Sequence, residues 1–153
     1  VITEAVTFVN APALAAEHGL TLTGTSTEET GDYRSSVTLR GAMADGESRS
    51  VSGTLSGQKQ VAKLIEINNR HFDLRAEGNL LVVAYADRPG VMGTVGALLG
   101  RGEINIEAAQ ISQQLDGRAA IMVLRVDQLP GQDLLEVIGE AVQARAIRGI
   151  SAG

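Results

Sequence analysis

The chain contains no cysteine and no tryptophan, and aromatic residues make up only 3% of its 153 residues. The lack of cysteine excludes disulfide bonds and thiolate metal sites. The lack of aromatic side chains leaves the core to be built from alanine, valine, leucine and isoleucine. It also disfavours an RNA-binding sheet, because such a sheet stacks bases on aromatic residues of its central strands.

Positive charge is scarce as well, because 13 Lys and Arg residues face 18 Asp and Glu residues, for a net charge of −5. This balance argues against nucleic acid as a partner. No apolar run approaches the roughly 20 residues of a membrane helix, and no signal peptide is visible. We therefore expect a cytoplasmic protein without a membrane partner. Because the chain begins at Val1 instead of Met, we interpret it as a piece of a longer protein.

Motifs for catalysis and for metal binding are also missing. The only histidines, His18 and His71, lack metal-ligand spacing, and no serine lies in a G-x-S-x-G elbow. No G-x-G-x-x-G fingerprint with a downstream acidic residue is present, since Gly93 and Gly96 fall inside a predicted helix. We predict no catalytic residue, metal or cofactor in this chain. Catalysis by the chain itself is the alternative from a different functional class.

The second half alternates strand and helix patterns. Apolar runs and helical spacing predict the order βαββαβ, with strands near 80–86, 104–113, 119–127 and 145–151 and helices near 90–100 and 131–144. This order is typical of a ferredoxin-like sandwich, a four-stranded antiparallel sheet with both helices on one face.

Alternation along the strands predicts which residues face those two helices. We expect the helix-facing set to be Leu80, Val82, Ala84, Ile104, Ile106, Ala108, Met122 and Leu124. The opposite face then carries Leu81, Val83, Tyr85, Ala109, Ile111, Ile121 and Val123. Because so much apolar surface would be uncovered in a small domain, we expect a homo-oligomer that associates through this half.

The first half reads as a partial, mainly-β α+β domain. Pro12 marks the first turn of a short helix that His18 and Gly19 close. Alternation predicts strands over 20–27, 35–43, 49–56, 61–67 and 71–74, with turns at Asp45-Gly46 and Asn68-Asn69. A short linker at 76–79 divides the chain into predicted domains 1–76 and 77–153.

A tight turn in the second half has the features of a small-molecule pocket. Pro89 fixes the chain just before a helix begins, and Gly90 lets a ligand approach the backbone closely. Free N–H groups and the helix dipole attract an anion at such a helix start. With Asp87 before the turn and Asn105 at the next strand, we expect polar groups to flank this helix start.

This pattern resembles the ACT domain, a family of amino-acid-sensing regulatory modules, over roughly residues 78–153. The residues that fit the family signature are Asp87, Pro89, Gly90, Val95, Leu98, Leu99, Asn105 and Ile106. The first half, through Thr7–Pro12, Ser52–Leu55 and Arg70–Asp73, is similar to the intervening domain of long-form D-3-phosphoglycerate dehydrogenases. In those enzymes the intervening domain also precedes an ACT domain.

The resemblance implies the regulatory region of an NAD-dependent dehydrogenase that oxidises 3-phosphoglycerate, the first step of serine synthesis. It implies L-serine as a feedback effector, bound between two ACT domains of a homo-oligomer. The NAD-binding lobes, and part of the intervening domain, are then expected upstream of Val1. Two alternatives stay open: the regulatory region of an iron–sulfur L-serine dehydratase, and a stand-alone amino-acid-binding ACT protein.

The serine site implied by the resemblance consists of Tyr85, Asp87, Gly90 and Asn105. Asp87 can accept hydrogen bonds from an ammonium group, and Asn105 can both donate and accept. The N–H groups near Gly90 can receive a carboxylate. The alternatives are an Asx-turn at Asp87, a solvated Asn105 and a Tyr85 that is simply half-buried.

A second candidate site is cationic and lies mainly before the linker. Lys63, His71 and Arg75, together with Arg125 from an otherwise apolar strand, could dock phosphate or a phosphorylated three-carbon acid. Arg70 belongs to the same cationic stretch, and for this residue the solvated alternative is favoured. The resemblance supports an effector anion site in the intervening domain. The alternative is a solvated face paired with acidic neighbours, namely Glu66, Asp73 and Glu77 for the first half and Asp127 for Arg125.

Overall fold

The computed structural model describes residues 7, 9–19, 21, 23–26, 33, 35–42, 46–113 and 117–152. The chain divides into two compact units, Val1–Gly31 and Asp32–Gly153. The predicted domain boundary between residues 76 and 77 stays a prediction.

The first unit contains helix α1 (Ala11–Glu17), which confirms the predicted short helix. Pro12 lies in its first turn, and Leu14 and Ala15 are buried. Asn10 occupies the N-cap position, but its side chain accepts the N–H of Thr7 at 2.6 Å and does not cap the helix. The strand predicted over 20–27 is wrong at its described residues, 21 and 23–26, which are irregular and exposed. Alternating Leu and Thr favour a strand only where a neighbouring strand pairs with them.

The second unit contains eight strands and two helices among its described residues. They are β1 (Val37–Ala42), β2 (Ser48–Ser56), β3 (Val61–Ile67), β4 (Arg70–Arg75), β5 (Gly78–Ala86), α2 (Val91–Arg101), β6 (Ile106–Gln113), β7 (Ala119–Val126), α3 (Gln132–Val142) and β8 (Ala146–Ala152). Each of these elements matches a strand or helix predicted from the sequence, with ends that differ by a few residues.

Strands β1 to β4 form an antiparallel sheet in sequential order, here called the first sheet. Asn68 and Asn69 join β3 to β4 with φ angles of 50° and 61°. Two consecutive residues with positive φ make the tight turn that suits the twist of a hairpin, and asparagine tolerates this conformation. Of the predicted Asp45-Gly46 turn, Gly46 has a φ of 80°, and Asp45 lies outside the described residues.

Strands β5 to β8 form the second sheet, in the order β6-β7-β5-β8 with antiparallel neighbours. Helices α2 and α3 pack on one face of it, which confirms the predicted ferredoxin-like sandwich. The helices approach each other closely at Gly102, where an added Cβ would lie 2.7 Å from Cδ2 of Leu134. The residue pair Asp116-Gly117 between β6 and β7 is typical of a hairpin turn; Gly117 has a φ of 67°, and Asp116 lies outside the described residues.

The predicted assignment of faces is wrong for β5. Leu81, Val83 and Tyr85 pack against the helices, whereas Leu80, Val82, Ala84 and also Ala108 of β6 belong to the opposite face. On β7 the prediction is right, because Met122 and Leu124 face the helices and Ile121 and Val123 do not. Both alternating sets of β5 are apolar, so a period of two shows which residues share a face but not which layer covers that face.

The face of the second sheet that we predicted to be uncovered is covered by the first sheet of the same chain. Phe72 and Leu74 of β4 pack on Leu80, Ile121 and Val123. Leu64 and Ile67 of β3 flank this inter-sheet core. The second sheet is therefore the middle layer of three, and this face leaves no argument for an oligomer.

The described residues contain neither a membrane-spanning helix nor a group of metal-binding side chains. Among these residues, no helix has the length and apolar character that a membrane crossing requires. Within the same part of the chain, no three His, Cys, Asp or Glu side chains are grouped as metal ligands would be.

Candidate functional sites

The turn after β5 holds Asp87 in a defined position. The carboxylate of Asp87 accepts a hydrogen bond from Nε2 of Gln113, at the end of β6, at 2.5 Å. The Asp87 N–H donates to the carbonyl of Arg118 at 3.2 Å, and Arg88 donates to Oε1 of Gln143 at 3.0 Å. The turn is therefore fixed to β6, to the start of β7 and to the end of α3. Gln113 is a site residue that the sequence analysis missed.

Gly90 begins α2 in the left-handed region, with a φ of 88°. A side chain is strained at this φ, which explains the glycine. No side chain caps the helix at this residue. Thr94 closes the first turn, since its N–H and its hydroxyl both donate to the Gly90 carbonyl, at 2.9 and 3.1 Å. The N–H groups of the first turn come before the first intrahelical hydrogen bond. They have no carbonyl partner within the helix and can bind an anion.

Tyr85 is buried, with 3% of its surface exposed, in the core between the second sheet and the helices. Burial raises the pKa of its hydroxyl above the ordinary value of 10.0, and the negative charge of Asp87 raises the pKa further. The side chain is therefore a neutral hydroxyl throughout the physiological pH range. It is more deeply buried than the half-buried alternative that we considered.

Asn105 lies in the loop between α2 and β6, where Asp127 holds it. The Asn105 N–H donates to Oδ1 of Asp127 at 2.9 Å, and the Asp127 N–H donates to the Asn105 carbonyl at 3.1 Å. Asn79 donates to the Asp127 carbonyl at 3.0 Å. Asp127 therefore fixes the Asn105 loop and is a second positioning residue that the sequence analysis missed. Its signal was an aspartate directly after a strand, where such side chains commonly bond to backbone.

Asp87 and Asn105 lie at opposite ends of the second sheet. Ile106 and Asn79 are both level with Val126, whereas Ala86 at the other end is level with Ala119. Asn79 and Ala86 are seven residues apart along β5, a distance of more than about 20 Å. We expected both residues to flank the start of α2, but Asn105 follows the end of α2 instead. One small amino acid cannot contact both residues of a single chain.

The cationic residues of the second candidate site are mostly brought together. Lys63 and Arg75 are direct neighbours on β3 and β4. Arg75 and Arg125 both donate to Oε1 of Glu77, each at 3.3 Å. Arg125 therefore joins the two residues of the first sheet through the linker residue Glu77. We call Lys63, Arg75 and Arg125 the cationic cluster.

His71 shares a face of β4 with Arg75, but it lies away from the cationic cluster. Its neighbour on β3 is Glu66. Four residues along a strand separate it from Arg75, about 13 Å. The alternative that paired Arg125 with Asp127 has the wrong partner, because Arg125 bonds to Glu77 and to Glu107, the latter at 2.9 Å.

Each cation of the cluster has a carboxylate partner. Lys63 contacts Asp73 at 2.6 Å, in addition to the bonds that Arg75 and Arg125 make with Glu77 and Glu107. The side chains of Lys63 and Arg125 are 27% and 23% exposed, so these pairs are partly shielded from water. Three positive and three negative charges cancel, and an incoming anion must compete with the carboxylates.

Comparisons with known families match both halves of the chain. Residues 1–68 match the profile described as the D-3-phosphoglycerate dehydrogenase intervening domain, and residues 79–143 match the ACT domain. The two matches occur in the order that the resemblance implied. These matches confirm the resemblance to both families that the sequence indicated.

Curated relatives carry the name D-3-phosphoglycerate dehydrogenase. The protein of Mycobacterium tuberculosis is 49% identical over 94% of this chain, and that of Mycobacterium leprae is 45% identical over 99%. The chain spans 27% and 29% of the length of these two relatives. Among solved structures, a formyltetrahydrofolate deformylase from Pseudomonas syringae is 21% identical over 48% of this chain and 26% of its own, with a TM-score of 0.42.

Proposed function

We infer that this chain, which belongs to the D-3-phosphoglycerate dehydrogenase intervening-domain and ACT-domain families, is the regulatory region of a D-3-phosphoglycerate dehydrogenase. The identity of 49% over nearly the whole chain supports this assignment over the serine dehydratase alternative. The complete enzyme would oxidise 3-phosphoglycerate with NAD in the cytoplasm. The described residues would contribute effector binding rather than chemistry.

The effector that we propose is L-serine, bound at the turn after β5. The observation that carries this proposal is the pairing of a carboxylate, Asp87, with an uncapped helix start at Gly90. An amino acid is a zwitterion, so its ammonium group suits Asp87 and its carboxylate suits the N–H groups of the first turn of α2. Few aromatic side chains are available to line a large pocket, which favours a small amino acid over phenylalanine.

The second half of the serine site would come from another copy of the chain. Asn105 lies about 20 Å from Asp87 along the sheet of its own chain. We propose that the Asn105 loop of one chain approaches the Asp87 turn of its partner, so that a symmetric dimer holds two sites. Asp127 would act as a positioning residue, because it holds the Asn105 loop by two backbone hydrogen bonds.

A mixing experiment tests this shared site. Asp87→Ala and Asn105→Ala are each expected to weaken serine binding by about 5- to 150-fold in calorimetry, the equivalent of roughly 1–3 kcal/mol. If the site is shared, a mixed dimer of the two variants contains one site with both native residues, so mixing the variants restores part of the binding. A shared site is excluded if binding is not restored in dimers shown to be mixed.

Phenylalanine and isoleucine are the controls for ligand choice, and Arg148→Ala, on β8, is the control for substitution. Arg148 is exposed, and its side chain donates to the neighbouring Ile147 carbonyl. The variant is expected to bind serine as the native chain does. Heat from phenylalanine or isoleucine alone would contradict serine as the effector.

We propose a second function for the cationic cluster, the binding of phosphate or of a phosphorylated three-carbon acid. It is supported by the convergence of Lys63, Arg75 and Arg125 on the carboxylates described above. Phosphate should then raise the melting temperature, and Lys63→Ala with Arg75→Ala should remove that rise without affecting serine binding. His71→Ala should have a smaller effect, because His71 is about 13 Å further along the strand.

A further inference from the structure

The turn after β5 contains a cation, Arg88, directly after Asp87. Arg88 is exposed, and its Nη1 donates to Oε1 of Gln143, at the end of α3, at 3.0 Å. We infer that Arg88 binds the carboxylate of the effector and that the uncharged side chain of Gln143 positions Arg88 for this contact. The inference rests on the proposed serine site and adds to it a second group that recognises a carboxylate.

The end of α3 lies beside this turn because the chain enters β8 directly after the helix. The Arg145 N–H donates to the Ala84 carbonyl at 2.7 Å, and Ala146 is level with Ala84 on β5. Gln143 therefore lies at the end of the second sheet where β5 ends and α2 begins. Its bond to Arg88 joins residues 55 positions apart, so it fixes the guanidinium group at that end of the sheet.

Gln143 holds Arg88 without neutralising its charge. Within the part of the chain that the structure describes, Arg88 makes no ion pair, and its partner is an amide oxygen. By contrast, carboxylates hold Arg49, Lys63, Arg75 and Arg125. A guanidinium group carries five N–H donors, and the bond to Gln143 uses one of them. A carboxylate can therefore pair with the full positive charge of Arg88.

The backbone of Gln143 is independent evidence that its side chain has a role. Gln143 has a φ of 50° and a ψ of 49°, in the left-handed region at the C-cap of α3. Glycine is favoured at such helix ends, because other side chains are strained there. Glycine would also make the backbone bonds that end the helix, from the Gln143 N–H to the Glu140 carbonyl and from the Ala144 N–H to the Gly139 carbonyl. The contact with Arg88 accounts for a glutamine at this position.

Arg88 complements the groups that we assigned to the site. In the proposed site, the carboxylate of serine lies at the N–H groups of the first turn of α2, which begins just after Arg88. Charge-assisted bonds from a guanidinium group to a carboxylate are stronger than bonds from uncharged N–H groups. Asp87 would contact the ammonium group while Arg88 contacts the carboxylate. Two adjacent residues of opposite charge thus match both charges of an α-amino acid, whereas a simple amine or a simple acid would satisfy only one of them.

Calorimetry with L-serine tests the role of Arg88. Arg88→Gln is expected to weaken serine binding at least about tenfold, because charge-assisted hydrogen bonds are lost. L-serinamide, which has no carboxylate, should bind this variant as it binds the unsubstituted chain. Arg148→Gln, at an exposed arginine on β8, is the matched control and should leave serine affinity unchanged.

Two substitutions of Gln143 test its positioning role. Gln143→Glu still accepts the bond from Arg88 but neutralises the guanidinium group, so serine binding should weaken several-fold. If Gln143 only fixed the turn, serine binding would be retained, because an ion pair holds Arg88 at least as firmly as an amide does. Gln143→Gly removes the strained side chain and releases Arg88, so serine binding should weaken while the melting temperature does not fall.

The matched control for Gln143→Gly is Gln60→Gly, at a glutamine with a φ of 52° between β2 and β3. It removes the same side chain from the same backbone conformation, and it should leave serine affinity unchanged. Full serine affinity in Gln143→Gly or in Gln143→Glu would overturn the positioning role of Gln143.

Serine binding that is unaffected by Arg88→Gln would overturn the inference and leave the proposed serine site standing. Equal losses of serine and of serinamide binding in Arg88→Gln would also overturn it, because Arg88 would then act on a group other than the carboxylate. An unsubstituted chain that does not bind serine would overturn the proposed function and the inference together.

Discussion

At the scale of single residues, Asp87 acts on two neighbours at once. Its carboxylate accepts a hydrogen bond from Gln113, and its negative charge helps to raise the pKa of Tyr85. The same charge is available to an ammonium group in the proposed serine site. A cationic ligand group beside Asp87 would oppose the effect on Tyr85, so the tyrosine can serve as a probe of the site.

The ionisation of Tyr85 is predicted to occur above the ordinary value of 10.0, because burial and the charge of Asp87 both raise its pKa. In a Tyr33→Phe variant Tyr85 is the only tyrosine, so absorbance at 295 nm reports it alone. Asp87→Asn is expected to lower the pKa but to keep it above 10.0, since burial is the larger cause. A midpoint at or below 10.0 in the parent variant would contradict the buried position.

The same shift predicts how stability depends on pH. A group whose pKa is higher in the folded state stabilises the fold fully below its unfolded pKa, and this contribution is lost as pH rises through the folded pKa. The melting temperature should therefore fall as pH rises above about 10. Tyr85→Phe removes the ionisable group and should make that fall smaller.

The sequence was sufficient to identify residues of the types that bind a small molecule, but it was not sufficient to predict how they are arranged. Asp87, Gly90 and Asn105 were selected by residue type and spacing, and each lies in a loop or turn. The separation of Asp87 from Asn105 could not be read from spacing, because α2 returns the chain to the opposite end of the sheet before Asn105. Gln113 and Asp127 were missed because their roles depend on hydrogen bonds between residues more than 20 positions apart.

At the scale of helices and strands, β5 and β7 are buried on both faces. The helices cover one face and the first sheet covers the other, so β7 has a nearly continuous buried pattern. A continuous apolar run is typical of a strand between two layers. Residues 119–124 form such a continuous apolar run, which predicts that a layer covers each face of the strand. We assigned the second of these layers to another subunit. A single sequence does not distinguish a partner subunit from the preceding part of the same chain.

Packing of the first sheet on the second is tested by Phe72→Ala. Phe72 is 3% exposed in the inter-sheet core, and truncation of such a side chain costs about 3–5 kcal/mol. Chemical denaturation should show this loss as a single unfolding transition of both sheets, with its midpoint moved to a lower denaturant concentration. Ile111→Ala, at a position 38% exposed on β6, is the control and should cost far less. Equal effects of the two substitutions would contradict the inter-sheet core.

At the scale of the whole molecule, Glu77 links the two sheets electrostatically. It lies between β4 and β5 and contacts Arg75 of the first sheet and Arg125 of the second. A bound anion would take over these two cations and release the carboxylate. Arg75 of the first sheet and Arg125 of the second would then be connected through the bound anion instead of through Glu77. Anion binding could therefore change how the two sheets are held together.

Glu77→Gln is therefore predicted to tighten phosphate binding at the cationic cluster by several-fold. The substitution removes the carboxylate that competes with phosphate for Arg75 and Arg125. Calorimetry with inorganic phosphate at constant ionic strength measures this affinity. Glu140→Gln, an exposed carboxylate on α3, is the control. Weaker phosphate binding in Glu77→Gln than in the control would show that Glu77 supports the site instead of competing with it.

The last prediction concerns association. Because the first sheet covers the face of the second sheet that we expected to dimerise, an oligomer cannot use that face. The distance between Asp87 and Asn105 still requires two chains for the proposed serine site. Serine that bridges two chains binds the dimer more tightly than the monomer, so it must shift the equilibrium towards the dimer by mass action.

Light scattering across a range of protein concentrations, with and without serine, measures this shift. Serine is expected to lower the concentration at which the chain becomes dimeric, and Asn105→Ala should remove that effect without altering dimerisation in the absence of serine. Phosphate serves as the control ligand, because the cationic cluster lies within one chain. A chain that stays monomeric at high micromolar concentration while binding serine at full affinity would place the whole site in one subunit and would exclude Asn105 from it.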